Sequence, residues 1–109
     1  MAFLPRTIQR TISLTASAAT TPAINFEDSR GALLQTPSGL NSNTTATVYA
    51  SSTEDGTYTI VEDATGSDVV ISLTASRAHE VPSAVFAAKW IKFVTDSGAL
   101  NSCELTLKS

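Results

Sequence analysis

Between Thr44 and Glu62 the chain spells out a β-hairpin, and no other stretch restricts its fold so strongly. Ala46, Val48 and Ala50 alternate with Thr45, Thr47 and Tyr49. That period of two sends one row of side chains to a core and the other to a wet or partner-covered face. Glu54-Asp55-Gly56 interrupts the pattern, and Thr57-Tyr58-Thr59-Ile60-Val61-Glu62 resumes it as the returning strand. Asp55 tolerates a positive φ and Gly56 adopts one without steric penalty, which a reversal between two twisted strands requires.

The rest of the chain extends this pattern. Thr7 to Thr15 alternates, with Ile8, Ile12 and Leu14 on one side, and predicts a strand from about Arg6 to Thr15. Ala23 to Phe26 and Ala32 to Gln35 are short extended pieces divided by the turn cluster Glu27 to Gly31. Val69, Ile71 and Leu73 form one row of a β-branched strand. Pro82 suits the first turn of a helix, so a single helical turn is expected there, dropping Val85 and Phe86 into one end of the core. Lys89 to Thr95 and Asn101 to Lys108 then close the chain as two strands around an Asp96-Ser97-Gly98 reversal. In the first of these, Ile91 and Phe93 take the inner row and leave Trp90, Lys92 and Val94 facing outward. An outward tryptophan beside a valine is either covered by a loop or part of an apolar patch that another subunit buries.

Seven or eight short strands separated by turns predict an all-β fold, a single-domain antiparallel β-sandwich or jelly roll spanning residues 6–109, with residues 1–12 forming an arm and the first strand. A chain of 109 residues fits one domain of this kind. Ser and Thr supply about a quarter of it, the balance of a β-protein whose outward positions carry hydroxyls.

Charge removes one class of partner. The formal net charge is −3, without the basic surface that releases counterions from a phosphate backbone, so nucleic acid is not expected to bind. The charge is also uneven: residues 1–26 hold Arg6 and Arg10 and no acid, while residues 27–109 hold the other five basic residues against all ten acidic ones. The beginning of the chain reads as a small cationic arm on an acidic body, either solvated or lying on an acidic neighbour.

No residue set predicts a reaction. His79 is the single histidine, read as a surface or loop residue beside Glu80, and no nucleophile-elbow spacing accompanies it. Cys103 is the single cysteine, which excludes an internal disulfide, and it falls on the apolar row with Leu105 and Leu107 as a buried thiol. One Cys and one His cannot close a tetrahedral zinc site. Glu54-Asp55 or Asp63 with Asp68 would offer oxygen ligands to calcium, yet these acids equally suit hairpin turns. The five glycines are isolated in turns, so no phosphate-binding loop is present. No cofactor or metal is therefore expected, and no enzymatic activity. Asn43-Thr44-Thr45 matches a glycosylation acceptor but is read as a turn into the following strand. Pro5 and Arg6 cut short the apolar start Met1-Ala2-Phe3-Leu4 before it reaches signal length, and no stretch is long enough to span a membrane. The expectation is a protein made in the cytoplasm, with no membrane partner.

The order Ala46-Thr-Val-Tyr-Ala50, then Ser52-Thr-Glu-Asp-Gly-Thr-Tyr58, then Ala84-Val-Phe-Ala-Ala-Lys-Trp-Ile-Lys-Phe-Val94 resembles small β-sandwich structural proteins of tailed bacteriophages. The same order occurs in discoidin-like, galactose-binding sandwiches. The resemblance covers residues 44–95 and not the first forty. It implies a virion protein, a capsid decoration or cement protein assembled in the host cytoplasm onto the exterior of the major capsid protein shell, commonly as a homotrimer. It also implies that Phe3, Leu4, Arg6 and Arg10 are arm contacts, with Trp90 a capsid or subunit contact. A tail or neck component and a carbohydrate- or cell-surface-binding module are the alternatives. The last is disfavoured because the loops Thr36–Asn43, Thr65–Asp68 and Asp96–Asn101 hold no aromatic platform for a sugar ring.

Overall fold

A computed structural model describes residues 9–14, 20–27, 29–38, 44–95 and 103–108. They form nine strands: β1 Gln9–Leu14, β2 Ile24–Asn25, β3 Gly31–Gln35, β4 Thr44–Ser51, β5 Thr59–Ile60, β6 Val70–Leu73, β7 Ala78–Glu80, β8 Trp90–Val94 and β9 Cys103–Lys108. A four-stranded sheet runs β1-β9-β3-β7, and a five-stranded sheet runs β2-β8-β4-β5 with β6 also paired to β4. Every pairing between named strands is antiparallel. The all-β sandwich expected from the alternation is the observed fold.

The core is the meeting of two inner rows. From the five-stranded sheet come Ala46, Val48, Ile71, Leu73, Ile91 and Phe93; from the other come Ala32, Leu34, Cys103, Leu105 and Leu107, all buried. Phe26 lies between them, edge-on to Phe93 at 6.4 Å and tilted against Phe86 at 5.6 Å. Pro82 does begin a helical turn, of 3-10 type, over Ser83–Ala87. It buries Val85 fully and Phe86 partly, so the turn closes one end of the sandwich.

Three local expectations are corrected. The returning strand of the hairpin is only two residues, Thr59–Ile60, paired with Ala50 and Tyr49. Thr57 and Tyr58 belong to the loop, where the Tyr58 hydroxyl donates to the Glu54 carbonyl at 2.7 Å. Beyond Ile60 the edge of β4 is shared: Val61 N–H donates to the Val48 carbonyl at 2.9 Å and Val48 N–H to the Val69 carbonyl at 3.1 Å, handing the remaining register over to β6.

Gly56, second, is not a positive-φ residue, and neither is Asp55. Its missing Cβ is needed for space, since one built there would collide with Thr53 Oγ1 and sit 2.6 Å from Ser51 Oγ. Third, His79 is in a strand, not a loop. It pairs with Leu34, which turns it toward the core side of β7, half-buried. There its Nε2 lies 3.0 Å from the Thr74 backbone nitrogen and 3.2 Å from the Thr74 carbonyl oxygen, and the ring tautomer decides which of the two it engages.

Buried hydroxyls stitch the sheet ends. Thr21 Oγ1 accepts the Phe93 N–H at 3.1 Å. Thr36 Oγ1 accepts the Arg77 N–H at 3.1 Å and donates to the carbonyl of Thr74 or Arg77. Each places one hydroxyl where a water would otherwise have to enter.

Candidate docking surface

The inner row of β8 fixes its outer row. With Ile91 and Phe93 fully buried, Trp90, Lys92 and Val94 must project from the far side of the five-stranded sheet, and each is partly buried. Register then assembles neighbours around them. Trp90 lies opposite Ser51 and Asn25, Lys92 opposite Tyr49, and Val94 opposite Thr47. Tyr49 is flanked on its other side by Ile60, and Thr47 by Val70, which is 46% exposed. The face therefore carries Trp90, Tyr49, Ile60, Val94 and Val70 in adjoining positions on one side of a regular sheet. Val70 is the exposed member and the other four are partly buried, so the face is a mixed surface with Lys92 and Thr47 among its apolar residues.

One end of this face is electrostatically built. The hairpin loop folds Tyr58 over the strand ends, and Lys92 Nζ stands 4.4 Å from the centre of its ring. An ammonium over an aromatic face contributes about 0.5–1 kcal/mol at a site open to water. The Tyr58 phenol is held above its ordinary pKa, first by desolvation and then by Glu54 and Asp55, so it stays protonated as a donor. Glu54 and Asp55 thus rim the apolar face at this end, and Glu62 follows Ile60 two residues on. Between Glu54 and Asp68 the chain carries five acids and no basic residue.

A second concavity lies on the four-stranded sheet. It is a groove of about 320 Å³ between Leu33, Val81, Phe86 and Thr106, bordered by Arg30, Lys108 and Glu80. Leu33 is 44% exposed there, yet the groove holds one carboxylate and two cations with no histidine or cysteine. It can hold an apolar group; it presents no nucleophile beside a base.

Two further titratable groups, Asp63 and Cys103, are held by their surroundings. Asp63 Oδ1 accepts from the Thr65 hydroxyl at 2.6 Å, the Thr65 N–H at 2.9 Å and the Ser67 N–H at 3.1 Å. These bonds, led by the Thr65 hydroxyl, hold its carboxyl below the ordinary aspartate pKa. Asp63 is therefore the keystone of its own turn, and its oxygen is already occupied. Burial pushes the Cys103 thiol up, away from the thiolate. Among the described residues no group of three His, Cys, Asp or Glu side chains is placed to hold a metal ion. None of the described helical segments is long and apolar enough to cross a membrane.

Of the residues singled out in the sequence, Trp90 stands at the edge of the apolar face. Phe3, Leu4 and Arg6 lie outside the described residues, as does the Asp96–Gly98 reversal. Arg10 is in β1, opposite Leu107, so its backbone belongs to the sheet and not to a detached arm. Sequence reasoning missed Tyr58, Ile60 and Val70 as members of the face. Their membership depends on β5 and β6 sharing one edge of β4, which no local pattern announces.

No protein-family model matches the chain, and no curated protein matches its sequence. Among solved structures, the SPBc2 prophage-derived protein YomS superposes on it with a TM-score of 0.65, covering 100% of both chains at 10% identity. At that identity the likeness is one of fold alone.

Proposed function

We propose that this protein is a virion structural protein of a bacteriophage, a decoration protein that seats on the outer surface of the major capsid protein shell as a homo-oligomer, with a trimer as the reading carried by the resemblance. The observation that carries the proposal is the outer face of the five-stranded sheet, where Trp90, Tyr49, Ile60, Val94 and Val70 stand in register around Lys92. A surface of this kind gains stability when a partner removes it from water, at about 25 cal/mol per Å² before the costs of association. Repetition over a closed shell turns many modest contacts into mechanical reinforcement.

The fold shared with a prophage-derived protein supports the phage setting. A regular sheet face bearing one lysine and no catalytic pair supports a role in contact over one in chemistry. The experiment is co-sedimentation with expanded capsid shells. Wild type is expected to saturate the shells, and Trp90→Asp to bind at least tenfold more weakly while keeping its β-sheet circular dichroism. Saturation of isolated tails and not of heads would select the tail or neck reading. Binding to cells without shells would select the cell-surface one.

A further inference from the structure

Gly31 is a glycine for which the fold has no need. Its φ is not positive, and a Cβ built on it would meet nothing within 4 Å. A glycine in a strand adds no packing and weakens the strand. One without a conformational or steric reason marks a place where something else comes close to the backbone. The row that Gly31 shares with Leu33 faces out of the four-stranded sheet, and the space it leaves open belongs to the groove of about 320 Å³.

The groove has a charge pattern as well as a shape. Arg30 and Lys108 stand at its Gly31 end, their backbones tied because the Arg30 N–H donates to the Lys108 carbonyl at 2.7 Å and Gly31 pairs with Lys108. Among the described residues neither cation forms an ion pair. Glu80 lies further along, opposite Leu33 on β7. Two positive charges and one negative leave a balance of 2 − 1 = +1 around the groove, which a single negative charge neutralises and a doubly charged phosphate would exceed. An arginine beside a lysine engages a carboxylate through charge-assisted hydrogen bonds. Leu33, Val81 and Phe86 supply apolar walls. The volume lies at the small end of the range for clefts that hold one small molecule, about 300–1,000 Å³, which favours a free molecule over a length of polypeptide.

We propose that this groove binds a small organic monocarboxylate with an apolar body, the size of a medium-chain fatty acid. The carboxylate lies between Arg30 and Lys108, and the body runs over Gly31 against Leu33 and Phe86. The outer faces of two packed sheets point in opposite directions, so this site is separate from the Trp90 face and stays open when that face is covered.

The probe is octanoate, titrated into the full chain by isothermal calorimetry, with octylamine and octanol as cationic and neutral controls of the same length. Octanoate should saturate one site with a dissociation constant of about 0.1–1 mM. Octanol should bind about three- to tenfold more weakly, and octylamine at least tenfold more weakly. Arg30→Glu and Lys108→Glu should each weaken octanoate binding about two- to fivefold at low salt, with a smaller effect in high salt. Gly31→Val should abolish binding while Tm holds or rises, because its Cβ has open space and valine suits a strand.

Absence of saturable octanoate binding would overturn the proposal, as would octylamine binding as tightly as octanoate. So would a folded Gly31→Val that binds like wild type. If Gly31→Val loses its β-sheet circular dichroism, Arg30→Glu combined with Lys108→Glu decides the matter: binding at least tenfold weaker supports the site, and unchanged binding overturns it. A short peptide ending in a free leucine carboxylate that binds at least tenfold tighter than octanoate would assign the groove to a protein terminus and overturn the small-molecule occupant. Folded Gly31→Val should sediment with expanded shells as wild type does; a weaker association would make the groove part of the shell contact and overturn its separate role.

Discussion

Strand β8 offers a direct comparison of core with surface, because Phe93 and Trp90 are three residues apart and project from opposite sides of one sheet. Phe93 is fully buried, packs edge-on to Phe26 and sits opposite Val48 at the middle of the core. Truncating it to alanine removes a whole ring from a close-packed site and leaves a cavity that the surrounding sheet can only partly fill. The expected loss is about 3–5 kcal/mol. Against a total stability of about 5–15 kcal/mol for a domain of this size, that is a large fraction, and it lowers Tm by roughly 12–20 °C. Trp90→Ala is different. The ring is partly buried on the outer face and its site stays open at one side, so the isolated fold should lose less, about 1–2 kcal/mol. Urea unfolding followed by circular dichroism separates the two, at a concentration low enough to keep subunits apart. An unchanged slope with shifted midpoints licenses the comparison. If Trp90→Ala costs the monomer as much as Phe93→Ala, the assignment of inner and outer faces is wrong.

Other outcomes follow from named contacts. Thr36→Val keeps the shape of the side chain but takes the acceptor from the Arg77 N–H and the hydroxyl donor from the Thr74 carbonyl, and should destabilise by about 1–3 kcal/mol in the same unfolding assay. Gly66 has φ of +84°, with room for a methyl group but a backbone conformation that disfavours one, so Gly66→Ala should cost about 1 kcal/mol. Gly56→Ala should cost a similar amount for the opposite reason, a clash that pushes Ser51 Oγ away from the Thr53 N–H it accepts at 3.2 Å. Asp63 has a folded pKa below its unfolded one, so its stabilising contribution is present above the ordinary aspartate range and is lost as pH falls through the lowered value. In acid titrations, wild type should exceed Asp63→Asn in stability near neutrality, and the gap should close below about pH 4. A constant gap would contradict the turn-based account.

The alternation of β4 and β8 was legible because a period of two depends only on neighbours in the chain: Val48 and Phe93 inward, Tyr49 and Trp90 outward. Cys103, Leu105 and Leu107 were legible for the same reason, as was the turn that seats Val85. The partition of strands between sheets was not. β9 inserts between β1 and β3, bringing Leu105 beside both Ile12 and Leu34, and pairings over such separations leave no local trace. The turn chemistry at Asp55-Gly56 was also misread, because a glycine required for space and one required for positive φ look identical in sequence. His79 was misplaced because its strand is three residues long and bounded by Pro82, too short for alternation to declare itself. Trp90 marked one corner of the contact face, whereas its extent waited on β5 and β6 dividing the edge of β4.

Hydroxyl-radical footprinting of the full chain, free and with its partner bound, tests most directly that the protein works through one outer face. Tyr49, Tyr58 and Trp90 should lose reactivity together when a second copy or a capsid shell is present, while Leu33 and Phe86 at the groove stay unchanged. Protection of Leu33 and Phe86 with Tyr49, Tyr58 and Trp90 still reactive would contradict the account.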